Sequence, residues 1–242
     1  MKNNQNLKAN DLIDALSFLR NDEKGSFFQR FFKTGKGEYA EGDIFWGISV
    51  PEQREVAKHF KSISLEELSS VLKSEVHEHR LTASIILVNQ FRKGNAEKKE
   101  EIFKFYIQHI EHINNWDLVD GTAPTIVGEY LFQKNRELLF QLASDSNLWK
   151  QRIAVLATMY FIKKNDFEIT FELSKLLLNH PHDLMHKAIG WMLREIGKKN
   201  YEVEFEFLAQ HYKNMPRTML RYAIEKFDEP IRQQFLKGTV ES

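Results

Sequence analysis

The chain has 242 residues, of which 34 are Lys or Arg and 34 are Asp or Glu, with 42% hydrophobic and 28% charged. That mixture belongs to a folding chain, and its neutral balance supplies no global field for nucleic acid or membrane, although a local basic surface stays possible. The lack of Cys excludes disulfides, a thiol nucleophile and Cys-ligated zinc or iron–sulfur sites.

Leu12, Ile13, Leu16 and Leu19 recur at helical spacing behind the cap candidates Asn10 and Asp11. Phe27, Phe28, Phe31 and Phe32 repeat the pattern. The glycine-rich stretch 35–43 lacks the Walker A order and reads as an ordered loop near a binding face. Pro51 sits where a first helical turn tolerates it, and Val56 and Phe60 form that helix's stripe. Ser64 and Glu67 are spaced as a capping box. Helical patterns follow at 65–73, 77–92, 96–112, 116–132, 135–143, 147–163, 167–179, 183–198, 201–212, 217–227 and 229–237. No clean β-alternation and no long linker appear, so a single all-α domain over 1–242 is expected. The opening MKNNQNLKANDL lacks a signal-peptide core, and no apolar run reaches the ~18–20 residues of a membrane span. A cytoplasmic protein of bacterial style, without a membrane partner, is expected.

Short helices joined by short loops prompt a search for repeats. Arg80, Trp116, Arg152, Lys187 and Arg221 fall at comparable places, spaced 36, 36, 35 and 34 residues apart. Each interval holds two helices, which predicts a HEAT-like solenoid. Equivalent positions of a solenoid line up, so Arg80, Arg152, Lys187 and Arg221 would form a basic ladder on a concave face, with Trp116 filling the missing rung. The alternative is that such residues bond neighbouring repeats together, and for Arg80, between Glu78 and His79, that reading is the better one.

Trp116 and Asp120 are i and i+4, on one helix face, and Gly121 and Pro124 make that helix irregular. A ring face beside a carboxylate suits a cationic group; a core Trp with a capping Asp suits the pattern equally. Lys187, Trp191 and Arg194 share another face, and Gly190 lets something approach closely. Trp149, capped by Ser146 or Asn147, reads as core, with Arg152 on the repeat register. His180, His182 and His186 lie close in sequence, but Pro181 interrupts them and no carboxylate pattern accompanies them, so no metal site is expected. His77, His79, His109 and His112 read as solvated helix residues.

These segments resemble the AlkD-type alkylpurine DNA glycosylases, a DNA alkylation repair family with HEAT-like repeats. The resemblance is carried by 45–54 (FWGISVPEQR), by Trp116–Asp120 with Pro124 and Thr125, by Ser144 and Asp145 with Trp149–Arg152, and by Lys187–Glu195, in the family's order over about 25–227. It implies hydrolysis of the N-glycosidic bond of cationic alkylpurines, chiefly N7-methylguanine and N3-methyladenine, in double-stranded DNA, with no metal, cofactor or obligate protein partner. It also implies that the damaged base need not be flipped into a pocket. It assigns Asp120 as the catalytic carboxylate, Trp116 and Trp191 as the aromatics on the sugar, and Arg152 and Arg194 as phosphate contacts. Lys187, Arg221 and Phe31 join the expected DNA-binding set, although Phe31 stands where the family has a tyrosine. Trp116 and Trp191 are accordingly expected to be partly exposed and to face one cleft. The rival readings are a non-catalytic HEAT-like DNA-binding module and a protein-binding scaffold.

Overall fold

The computed structural model describes residues 7–240. Among them no strand forms; a lone parallel bridge joins Ile44 to Val76. The chain divides between Ile126 and Val127 into two compact units. No helix among the described residues is long and apolar enough to cross a membrane.

The first unit contains α1 (Ala9–Ser17), α2 (Asp22–Phe31), α3 (Val50–His59), α4 (Leu65–Leu72), α5 (His77–Lys93), α6 (Ala96–Gln108) and α7 (Trp116–Ala123). Helix α5 is its centre, packed against α3, α4, α6 and α7. The fully buried Leu12, Leu16, Leu68, Leu72, Ile86 and Phe91 fill the core, each worth roughly 1.5–3 kcal/mol of burial. Two caps differ from expectation. Lys8, not Asn10 or Asp11, is the N-cap of α1, and the Asp11 carboxylate accepts the Lys8 N–H at 3.1 Å. The Ser64 hydroxyl accepts the Glu67 N–H at 3.3 Å, but the Glu67 carboxylate accepts from Ala9 N at 2.8 Å and Lys8 Nζ at 2.9 Å. Half of the expected box forms, and its glutamate caps a different helix.

The pattern read as one helix over 116–132 is broken into three. After α7 comes a π-helical turn, Pro124–Gly128, and then α8 (Glu129–Leu131). Pro124 has no N–H to continue the ladder, and wide turns of this kind often lie beside functional residues. Thr122 is pinned just before the break, its hydroxyl 2.6 Å from the Leu118 carbonyl and 2.9 Å from the hydroxyl of fully buried Tyr106.

The second unit continues through α9 (Glu137–Ala143), α10 (Leu148–Lys163), α11 (Glu168–Leu176), α12 (Asp183–Gly197), α13 (Tyr201–His211), α14 (Arg217–Ala223) and α15 (Glu229–Lys237). Helix α10 packs on α12 and α12 on α14, while α9 packs on α11, as expected for stacked helix pairs. Glycines mark the repeat. A Cβ on Gly128 would meet the Ala157 carbonyl oxygen at 2.2 Å and Tyr160 at 2.9 Å; one on Gly190 would meet the Met219 oxygen at 2.4 Å and Tyr222 at 2.6 Å. The partners lie 29 and 32 residues ahead in both cases. Gly190 therefore admits α14, where the sequence reading left room for a ligand.

Candidate active site

The site begins with a buried carboxylate. Glu78 accepts three backbone N–H groups, from Trp46 at 3.0 Å, Gly47 at 2.8 Å and Ile48 at 3.2 Å. Gly47 has φ +78°, and a Cβ there would lie 2.1 Å from the Asn21 carbonyl oxygen. Only glycine lets this segment lie against the start of α2. The Ile44–Val76 bridge fixes the other end, through His77 N donating to the Ile44 carbonyl at 2.8 Å.

That placement puts Asp43 beside His77. The His77 ring is only 1% exposed and bonds on both sides, Nδ1 to Asp43 Oδ2 at 3.2 Å and Nε2 to Asp117 Oδ2 at 2.8 Å. Arg80 Nη2 donates to Asp43 Oδ1 at 2.6 Å, and Asn115 Nδ2 donates to Asp43 Oδ2 at 3.2 Å. Burial alone would depress the imidazole's pKa, but the charge and hydrogen bond of Asp117, with help from Asp43, raise it to about 9. Burial likewise favours the neutral form of Asp43, and its bond to His77 with the Arg80 charge outweighs this, holding it below the usual carboxylate range. An imidazolium between two carboxylates thus joins the loop at Asp43 to the first turn of α7.

His77, expected to be solvated, is therefore a buried cation. His79 and His109 are also buried, bonded to Ser74 Oγ and Ser69 Oγ, each at 2.8 Å. Burial and Arg80 lower the His79 pKa to about 4, so it is neutral at physiological pH. Arg80 takes the tying role expected of it, donating also to the Ser74 carbonyl at 2.8 Å.

Rings pile outward from His77. Phe45 lies 4.5 Å from it at 22°, Phe32 4.7 Å from Phe45 at 23°, and Trp116 5.2 Å from Phe32 at 11°. Phe31, 56% exposed, meets Trp116 edge-on at 6.3 Å. One face of Trp116 is thereby braced. The half-buried indole lines a cleft of about 570 Å³ with Asp117, Asp120, Arg54 and Arg92. Asp120 is half-buried on the last turn of α7 and lines the cleft next to Gly121. Arg54 and Arg92 are exposed. Trp116 and Asp120 are thus a braced side chain and a carboxylate that share a cleft wall.

In the second unit the expected cations are more neutralised than the sequence reading held. Lys187 Nζ pairs with Asp183 at 2.7 Å, Arg194 pairs with Glu225, and the half-buried Trp191 donates Nε1–H to Glu195 at 3.1 Å. Acidic partners at i±4 account for two of these contacts. Arg152 is 5% exposed and donates to the Leu184 carbonyl at 2.6 Å. That bond ties α10 to the start of α12, as in the alternative reading of the register. Arg221 is exposed, so the five register positions do not form a uniform basic ladder. Trp149 is core, as expected, and Asn147 caps α10. His180 and His182 accept the N–H groups of His182 and Leu184, and no metal-ligand cluster occurs among the described residues.

A family model described as DNA alkylation repair enzyme matches residues 12–227. The chain belongs to the DNA alkylation repair enzyme family. A solved structure described as a predicted DNA alkylation repair enzyme from Enterococcus faecalis is similar at a TM-score of 0.66, covering 87% of this chain and 97% of that one at 17% identity. At that identity the likeness shows the fold, an all-α helical-repeat architecture. No curated protein matches the chain. Of the residues singled out in the sequence, Trp116 and Asp120 share the cleft. Arg54 and Arg92 on the cleft wall went unassigned in the sequence reading, although Arg54 closes the 45–54 segment. Asp43, His77 and Asp117 were missed because their link spans residues far apart in sequence.

Proposed function

We propose that this DNA alkylation repair enzyme hydrolyses the N-glycosidic bond of cationic alkylpurines, N7-methylguanine and N3-methyladenine, in duplex DNA without a metal or cofactor. The observation that carries the reading is the pairing of Trp116 and Asp120 on one cleft wall, with Arg54 and Arg92 exposed beside them. An alkylated purine already bears positive charge and leaves without protonation. As the C1′–N bond breaks, its electrons neutralise the purine and charge appears on the sugar. The Asp120 carboxylate stabilises that oxocarbenium-like sugar and receives a proton from the water that attacks C1′. The Trp116 ring face attracts the same developing charge. Arg54 and Arg92 suit flanking phosphates. On the family resemblance, Trp191, Arg194, Lys187 and Arg221 contribute further DNA contacts, while Arg152 acts through its bond to Leu184.

Asp120→Asn tests the reading on a duplex carrying one N7-methylguanine. Excision is expected to fall by at least ~10²–10³-fold, with duplex affinity unchanged or slightly raised, because phosphate contacts are made elsewhere. Excision at the wild-type rate would remove Asp120 from the chemistry.

A further inference from the structure

Beside the cleft lies a second recess that the excision chemistry does not use. It has a volume of about 260 Å³, and Phe27, Phe28, Phe31, Phe32 and Phe45 are in its wall. Phe27 and Phe31 are each 56% exposed and stack on one another at 6.4 Å and 17°. Large aromatic faces left open to water at a recess are unusual in a soluble protein and mark a binding surface. Val50, Leu81 and Asp117 line both the recess and the Asp120 cleft, so the two are adjoining parts of one wall.

The polar groups of the recess are committed within the protein. Gln53 donates to the Ile48 carbonyl at 2.8 Å and accepts from Thr82 at 3.2 Å. Glu78 holds three backbone N–H groups. His77 bonds Asp43 and Asp117, and the other Asp117 oxygen accepts the Leu118 N–H at 2.9 Å. The imidazolium's charge is matched by the carboxylates that hold it. Each of these polar side chains is already tied within the protein, so the recess presents mainly ring faces and aliphatic surface.

Resting on the reading of the neighbouring cleft as a DNA site, we propose that this recess receives an extrahelical nucleobase next to the lesion. It holds that base by stacking, without reading its identity. A base is flat and aromatic on its faces, and its sugar and phosphates would pass toward Arg54 and Arg92, whose charge they complement. Edge recognition needs donors and acceptors aimed at the base, and the polar side chains here are held by partners within the protein, so purines and pyrimidines should be accepted alike. The base enters because it is already unstacked; excision of the lesion does not pass through the recess.

The test compares affinity for a fully paired duplex with affinity for the same duplex carrying a single-nucleotide bulge, by fluorescence anisotropy at fixed salt. The wild-type protein is expected to prefer the bulge by about 5- to 100-fold, the effect of one base stacked on aromatic side chains, with A, G, C or T in the bulge. Phe27→Ala should remove most of that preference, and Phe27→Trp should keep or increase it. Phe27 is largely exposed, so both variants should melt like the wild type. Equal affinity for paired and bulged duplexes would overturn the recess assignment while leaving the DNA reading intact. Failure to bind either duplex would overturn both, and a preference for one base would overturn the claim that identity is not read.

Discussion

His77 is a buried cation held between two carboxylates. Its pKa rises from 6.5 to about 9 on folding because two carboxylates flank it in a site nearly closed to water. A base with a raised folded pKa stabilises the native state fully below about pH 6.5, and that contribution is lost as pH climbs through 9. The shift corresponds to about 3 kcal/mol. Melting temperature should therefore fall between pH 6.5 and 9.5 in the wild type. His77→Gln should melt lower at neutral pH and lose the part of that slope above pH 8; below it the carboxyl of Glu204, pushed up to about 8 by burial, gives a decline of its own. An unchanged slope above pH 8 in the variant would contradict the charged His77 between Asp43 and Asp117. His79, with its pKa lowered to about 4, acts in the separate window below pH 6.5, so the two do not confuse the readout. At this scale Trp116 and Asp120 were legible, because i and i+4 spacing is local. The partners of His77 were not, since Asp43 and Asp117 come from other elements and helix spacing says nothing of them. Arg152→Ala is expected to lower stability by ~1–3 kcal/mol, because it removes a buried, charge-assisted hydrogen bond between α10 and α12. Thermal melting checks it.

Helices packed through glycine make the clearest test of the elements. Gly190→Ala places a methyl 2.4 Å from the Met219 carbonyl oxygen, which cannot yield without moving α14. A loss of ~1–3 kcal/mol is expected. Gly121→Ala meets nothing within 4 Å and replaces a poor helix former on α7; it should be neutral or stabilise by up to about 1 kcal/mol. Denaturant unfolding of the two variants reads both. Many helices were legible as an apolar stripe with a polar start, as in α4 behind Ser64, whereas α10 behind Asn147 is buried nearly all round. What the stripe conceals is where a helix is interrupted: 116–132 keeps its periodicity through the π turn at Pro124–Gly128. Caps were legible as residue types and less so as partners, since the Glu67 carboxylate closes α1 instead of its own helix.

For the whole molecule, the repeat spacing foretold stacked helix pairs, and the order of its segments placed the chain in its family. Arg152, Lys187 and Arg221 each fall at the fifth residue of their helices. The period reports that equivalence but not exposure, so a buried tie and an open cation looked alike. In a molecule of net charge zero, DNA affinity must come from local cations such as Arg54 and Arg92. Arg54→Ala should weaken binding to damaged and undamaged duplexes alike and reduce the salt dependence of log K by about one phosphate contact; filter binding across a salt series measures it. The central claim, that this repair enzyme breaks a glycosidic bond, is met most directly by incubating the wild-type protein with methylated duplex DNA and separating the free bases by chromatography. The account predicts steady release of N7-methylguanine and N3-methyladenine, undiminished by a metal chelator. Bound duplex with no free methylpurine released would contradict it.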